Sequence, residues 1–218
     1  MDPDFWHSRW RDNAIAFHKS DVNQYLERYV DRLALAEGAE VLVPLCGKSV
    51  DMHWLAARGY RVAGVELSGI AIRDFFAEQG IAAASHREGA FEVTQGAGIR
   101  LLRGDFFDLE PTHTGGVAAV YDRAALIALP AATRRRYVER LLALIPAEAP
   151  ILLLTFEYPA GEIEGPPFSV DEAEVRALFA GGRRVERLES LDRLADERAL
   201  AERGLTRLTE HAFLVTAR

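Results

Sequence analysis

The sequence predicts an α/β fold: a doubly wound, mostly parallel seven-stranded sheet with an antiparallel edge hairpin. Three observations predict it. The apolar run at 41–45 shows no polar alternation, as expected of a strand covered on both faces. Such runs alternate with segments of helical periodicity, the pattern of βαβ units. Two strand-like runs, 185–191 and 211–216, come consecutively near the C-terminal end and fit an antiparallel edge.

In chain order, Asp21 is placed to cap a helix whose Val22, Tyr25, Leu26, Tyr29, Val30 and Leu33 share a stripe, and Gly38 ends it. Residues 41–45 form the first strand. The helix after Ser49 buries Met52, Leu55 and Ala56 and stops at Gly59. Residues 61–66 form the second strand, and Ser68 opens a helix with Ile72, Phe75 and Phe76 that ends at Gly80. Segments 91–95 and 99–103 flank Gly96-Ala97-Gly98 as a hairpin would. The next strand, 118–121, ends at Asp122-Arg123. A helix over 131–144 carries Tyr137, Val138, Leu141 and Leu142, and the basic run Arg134-Arg135-Arg136 at its start reads as a solvated face. Pro146 and Pro150 bracket the loop before the strand 151–156. Ser169 and Glu172 fit a capping box ahead of Val175, Leu178 and Phe179.

A length of 218 residues suits one domain, and 49% hydrophobic residues are enough for a sizeable core. No apolar run approaches the roughly 18 residues that would span a membrane. The acidic, aromatic start Met1-Asp2-Pro3-Asp4-Phe5-Trp6 is unlike a signal peptide. A net charge of −7 disfavours nucleic acid as a partner. Cys46, the single cysteine, excludes an intrachain disulfide, and a cytoplasmic enzyme is the simplest expectation. Monomer is the default.

The chemistry concentrates in Val41-Leu42-Val43-Pro44-Leu45-Cys46-Gly47-Lys48-Ser49 and in Gly64-Val65-Glu66-Leu67-Ser68. A buried strand runs into a glycine turn and a helix, and the next strand ends on a carboxylate 19 positions after Gly47. A phosphate-binding loop is excluded because position 42, where its first glycine belongs, is Leu. A dinucleotide fingerprint fails for want of G-x-G-x-x-G. One turn glycine plus Glu66 fits a ligand with a ribose and no pyrophosphate, such as S-adenosylmethionine; the alternative for Glu66 is an ordinary strand end. Asp105-Phe106 sits where such a fold faces an adenine, or it is a loop with Phe106 in the core. Arg123 lies beside the place of a sulfonium methyl, to hold the cofactor's carboxylate or an anionic acceptor, or else forms a structural salt bridge. Trp6, Trp10, Phe17 and His18 either pack on the domain or fold over a pocket. Cys46 lacks a positioned His or Lys relay and reads as structural. No histidine shows metal-ligand spacing, neither His7 and His18 nor His86 and His113, and no metal is expected.

Taken together these residues resemble the thiopurine S-methyltransferase family, bacterial type. The likeness runs over nearly the whole chain: Phe5-Trp6-x-x-Arg9-Trp10, Ala16-Phe17-His18, Val43 to Ser49 with Asp51-Met52, Gly64 to Ser68, Phe107-Asp108-Leu109, Tyr121-Asp122-Arg123-Ala124-Ala125-Leu126 and Gly165-Pro166-Pro167-Phe168. The resemblance implies a class I, Rossmann-like methyltransferase with S-adenosylmethionine as cofactor and S-adenosylhomocysteine as product. It implies that residues 1–36 form a helical cover and that Trp10 lies over the cofactor. Leu45 and Gly47 follow the methionine part, Glu66 the ribose, Asp105 and Phe106 the adenine. Arg123 stands beside cofactor and acceptor, and Phe17 on the substrate side. A second substrate-side arginine of the family falls on Arg198 or Arg203.

The expected reaction is in-line methyl transfer to the sulfur of an aromatic or heterocyclic thiol such as a thiopurine. Bacterial members are also associated with selenium and tellurium compounds, hence metalloid detoxification. An acidic thiol is largely anionic near neutral pH, so Arg123 orients the acceptor and no dedicated general base is expected. The rival expectations are another nucleotide-cofactor enzyme on the same fold and a non-catalytic metabolite-binding module.

Overall fold

A computed structural model describes residues 3–218. Met1 and Asp2, the first residues of the expected N-terminal cover, lie outside the described residues. Helix α1 (Pro3–Arg11) comes first, and α2 (Gln24–Tyr29) follows an irregular stretch. Asn23, not Asp21, caps α2, its side chain accepting from the Tyr25 amide. The chain then tightens into a 3₁₀ turn, Val30–Leu33, and leaves it at Ala34 in left-handed conformation, φ +50°. The helix therefore ends ahead of Gly38, which serves the turn into β1 (Glu40–Val43) instead.

Ser49 caps α3 (Val50–Ala57) and Ser68 caps α4 (Gly69–Glu78), with β2 (Arg61–Glu66) between them. Next come β3 (Ala84–Glu88), β4 (Phe91–Gly96) and β5 (Ile99–Arg103). They are followed by α5 (Pro111–Thr114), β6 (Val117–Arg123), α6 (Ala131–Leu144) and β7 (Ile151–Glu157). The chain closes with α7 (Glu172–Phe179), β8 (Arg183–Asp192), α8 (Arg198–Glu202) and β9 (Thr209–Ala217).

The sheet order is β3-β4-β5-β2-β1-β6-β7-β9-β8. The five strands from β5 to β7 run parallel, and β9 inserts antiparallel between β7 and β8. This block holds the expected seven strands; β3 and β4 extend it antiparallel beyond β5. Strand β3 left no apolar signature because it is an edge strand with nearly every residue exposed, held by its backbone ladder to β4. Apolar cores cover both faces of the sheet, one centred on α6 and α7, the other on α2, α3 and α4.

Two local expectations are corrected. Asp171 caps α7 by accepting from the Glu174 amide, whereas Ser169 bonds the backbone of Tyr158. Arg134 is not solvated: it is buried, donates to the Leu129 carbonyl and pairs with Glu174 at 2.7 Å. A buried guanidinium is tolerated because its donors are met by a carbonyl and a carboxylate. No helix of the described residues is long and apolar enough to cross a membrane.

Candidate active site

The turn after β1 is built by two left-handed residues, Leu45 at φ +46° and Gly47 at φ +54°. Leucine carries a steric cost there, so the surroundings must hold it. Glu66, at the tip of β2, does much of the holding: its Oε2 accepts from the Gly47 amide at 3.0 Å and its Oε1 from the Ser68 amide at 2.7 Å. Burial pushes the Glu66 carboxyl up, and the backbone donors of Ser68, Gly47 and Leu67 oppose that rise. Each oxygen keeps a further lone pair for a hydroxyl donor.

Gly47 is also pressed from above. A Cβ placed on it would lie 3.2 Å from the ring of Trp10, which is itself buried. Gly47→Ala is expected to cost about 1–2 kcal/mol from the left-handed φ and the displaced indole. Chemical denaturation checks this, and an unchanged midpoint would show that the turn tolerates a side chain. Cys46 points the other way: its Sγ would lie 2.8 Å from a Cβ on Gly64, and burial pushes its thiol well up. It packs in the core as a small apolar residue, a poor nucleophile.

Above this turn lies a cavity of about 910 Å³. It opens at the carboxyl ends of the parallel strands, where the order reverses between β1 and β6, the usual ligand crevice of an open α/β sheet. Trp10, Phe17, Leu45, Gly47, Glu66, Asp105, Phe106 and Arg123 all line it. The core reading of Phe106 holds, and both Asp105 and Phe106 line the cavity. Asp105 caps a 3₁₀ turn through the Phe107 amide, and Phe106 packs against Tyr137 at 4.8 Å between centroids while still bordering the cavity. Phe17, 43% exposed, meets Trp6 and Trp10 edge-to-face at 5.7 Å. Helix α1 thus forms one wall of the cavity through Trp6 and Trp10. The volume suits a nucleoside-sized ligand together with a small second molecule.

Arg123 does form a structural pair, and it also reaches the cavity. Its Nη1 donates to Asp51 Oδ2 at 3.0 Å, and the side chain keeps 18% exposure. Asp51 is fully buried and accepts also from Tyr121 Oη at 2.9 Å and from the Asn23 amide at 2.8 Å. One carboxylate therefore ties β6, α3 and the N-terminal segment together and aims the guanidinium. Strand alternation turns Asp122 to the other face, where it accepts from Tyr137 Oη and the Leu126 amide. Burial pushes its carboxyl up to about 6.

The cavity is also lined by Thr155, Arg193, Glu197, Arg203 and Glu210. Of the two C-terminal arginines, Arg203 borders the cavity and donates to the Pro166 carbonyl at 2.9 Å; Arg198 is not among the lining residues. Asp51, Arg193 and Glu210 were not assigned roles from the sequence. Glu210 had a signal, a charge at the entry of an otherwise apolar strand; Arg193 had none, standing in a loop among other charges. Among the described residues no group of three or more His, Cys, Asp or Glu is arranged to hold a metal ion.

The family model described as Thiopurine S-methyltransferase (TPMT) matches residues 1–218. The chain is 51% identical over 215 residues to a thiopurine S-methyltransferase of Pseudomonas paraeruginosa, covering 99% of each chain. It is 49% identical over 216 residues to one of Pseudomonas entomophila, covering 99% of this chain and 100% of the other. Its fold is similar to a SAM-dependent methyltransferase of Anabaena variabilis, with TM-score 0.62 at 16% identity over 99% of this chain and 95% of that one.

Proposed function

The chain belongs to the thiopurine S-methyltransferase family, and from that premise we propose that it methylates the sulfur of aromatic or heterocyclic thiols. As a member it is a methyltransferase that uses S-adenosylmethionine. When bound, that cofactor supplies an electrophilic methyl carbon on a sulfonium centre. The observation that carries the reading is convergence: the Leu45–Gly47 turn, Glu66 and Arg123 border one cavity although they come from three separate segments.

The residues fit such a ligand. Glu66 has acceptor capacity left for ribose hydroxyls and is fixed by two backbone donors. Gly47, bare of a side chain, lets backbone approach the methionine part. Asp105 and Phe106 form the adenine wall. Of the expected cover 1–36, the described residues from Pro3 onward act as a lid within a single domain, with Trp10 over the turn. On the acceptor side, Phe17 offers a ring face and Arg123 a cation, so a thiolate is drawn to the cavity and oriented. Alignment and exclusion of water can recover roughly 7–11 kcal/mol of barrier. Selenium and tellurium nucleophiles fit the same in-line geometry, consistent with a metalloid-detoxifying, monomeric cytoplasmic enzyme.

The test pairs product with affinity. Mass spectrometry of reactions with a thiopurine and with a selenol is expected to show the methylated product. Glu66→Ala is expected to weaken S-adenosylmethionine by about 10–100-fold in calorimetry, the worth of one or two charge-assisted hydrogen bonds. An unchanged dissociation constant would remove Glu66 from the cofactor site, and no methylated product from any acceptor would overturn the proposed activity.

A further inference from the structure

One carboxyl in the cavity has no part in the scheme above. Glu210 enters β9 opposite Phe156 of β7 and Leu191 of β8; it is only 6% exposed, yet it borders the cavity. Its Oε2 lies 3.3 Å from Arg193 Nε, a buried N–H that is not aimed to form a hydrogen bond. Thr155, wholly buried and also lining the cavity, leaves its hydroxyl without a hydrogen-bond partner. Buried polar groups are seldom left unpaired. Glu210 is thus a nearly buried carboxyl that borders the cavity among incompletely paired polar groups, placed to meet a polar atom of a ligand.

The surroundings of Glu210 come from several elements. The Asn23 side chain hydrogen-bonds the carboxyl from the segment ahead of α2, and Tyr25 Oη donates to the Glu210 backbone carbonyl at 3.4 Å. Arg123 faces it from β6 with Tyr121 beside it, and Arg193 from the loop after β8. Glu197 faces it from the start of α8, itself paired with Lys19 at 2.7 Å.

We propose that Glu210 is the proton acceptor for methyl-accepting thiols that are still protonated at neutral pH. The S–H proton passes to the Glu210 carboxylate as the thiol sulfur bonds the methyl carbon and the methyl–sulfonium bond breaks. The electron pair of the broken bond stays on the departing sulfur, giving neutral S-adenosylhomocysteine, and the proton leaves Glu210 for solvent when products depart. The assignment rests on the thiol reading of the site and extends the acceptor class from acidic aromatic thiols to alkyl and benzyl thiols. Burial pushes the Glu210 carboxyl up to about 7, with Arg193 and Arg123 opposing the rise and Glu197 adding to it. A base of that strength is suited to operate near neutral pH.

Two thiols test it. With benzyl mercaptan, Glu210→Gln is expected to lose about 100-fold or more of kcat, the usual worth of a general base; with pentafluorothiophenol, already ionised at neutral pH, the loss should stay below about threefold. The wild-type kcat on benzyl mercaptan rises with pH through about 7 as the carboxyl loses its proton, and in Glu210→Gln that limb moves up toward the pKa of the thiol. A readout free of turnover is the wild-type minus Glu210→Gln infrared difference spectrum, in which Asp122 cancels and a protonated-carboxyl band titrating near neutrality is expected to remain. Retained turnover of the acidic thiol by the same preparation shows that the variant is folded. Equal losses on both thiols, no loss on either, or no such infrared band overturns the assignment alone. Wild-type protein that binds S-adenosylmethionine but methylates neither thiol overturns the thiol reading, and the assignment with it.

Discussion

Replacing Asp51 with alanine is expected to destabilise the protein by about 3–5 kcal/mol, the cost of removing one partner from a buried ion pair. The carboxylate is fully buried and accepts from three donors, Tyr121 Oη, Arg123 Nη1 and the Asn23 amide. Removing it leaves a buried phenol and a backbone amide unpaired, and no rearrangement within the core replaces both. The guanidinium recovers part of its loss, since its cavity edge stays within reach of water. In a chain of this size the loss corresponds to a fall in Tm of roughly 6–20 °C. Asp51→Asn keeps acceptor capacity but not charge and should fall between alanine and wild type. Equal melting of wild type and Asp51→Ala would show that Arg123 and Tyr121 find other partners. Asp51 is a positioning residue, so Asp51→Asn is also expected to lower kcat with an aromatic thiol while the affinity for S-adenosylmethionine holds.

Legibility divides along the same physical line. The tip of β2, the helix start at Ser68 and helix α6 follow from short-range rules, periodicity and capping, and they stand where those rules put them. The N-terminal helix α2 shows the limit: Asp21 and Asn23 are both able caps, and the choice falls to Asn23, whose amide is also bound by Asp51 across the fold. Glu66 and Gly47 were readable because strand, turn and strand lie close in sequence. Glu210 and Arg193 reach the cavity because β9 inserts between β7 and β8; the late hairpin was readable, but its order against β7 is a long-range pairing that local periodicity does not encode. Phe106 shows a further point: core and cavity border are not exclusive, since a ring that is 1% exposed still borders the cavity.

Arg123 carries the second large effect. Arg123→Ala is expected to lower kcat/KM with an aromatic thiol by about 5–150-fold, the equivalent of a charge-assisted contact worth about 1–3 kcal/mol. The stability cost should be smaller than that of Asp51→Ala. Asp51 keeps two of its three donors, and water from the cavity can fill the vacated space. Lysine at this position retains the charge but not the planar fork that contacts Asp51 and the cavity together, so Arg123→Lys should recover only part of the loss. Calorimetry separates the two partners the guanidinium could serve. If Arg123 orients the acceptor, S-adenosylmethionine binds Arg123→Ala within about threefold of wild type while turnover collapses. If instead it holds the cofactor's carboxylate, affinity and kcat/KM fall together. Wild-type turnover in folded Arg123→Ala would remove the residue from catalysis and leave it as the counter-ion of Asp51.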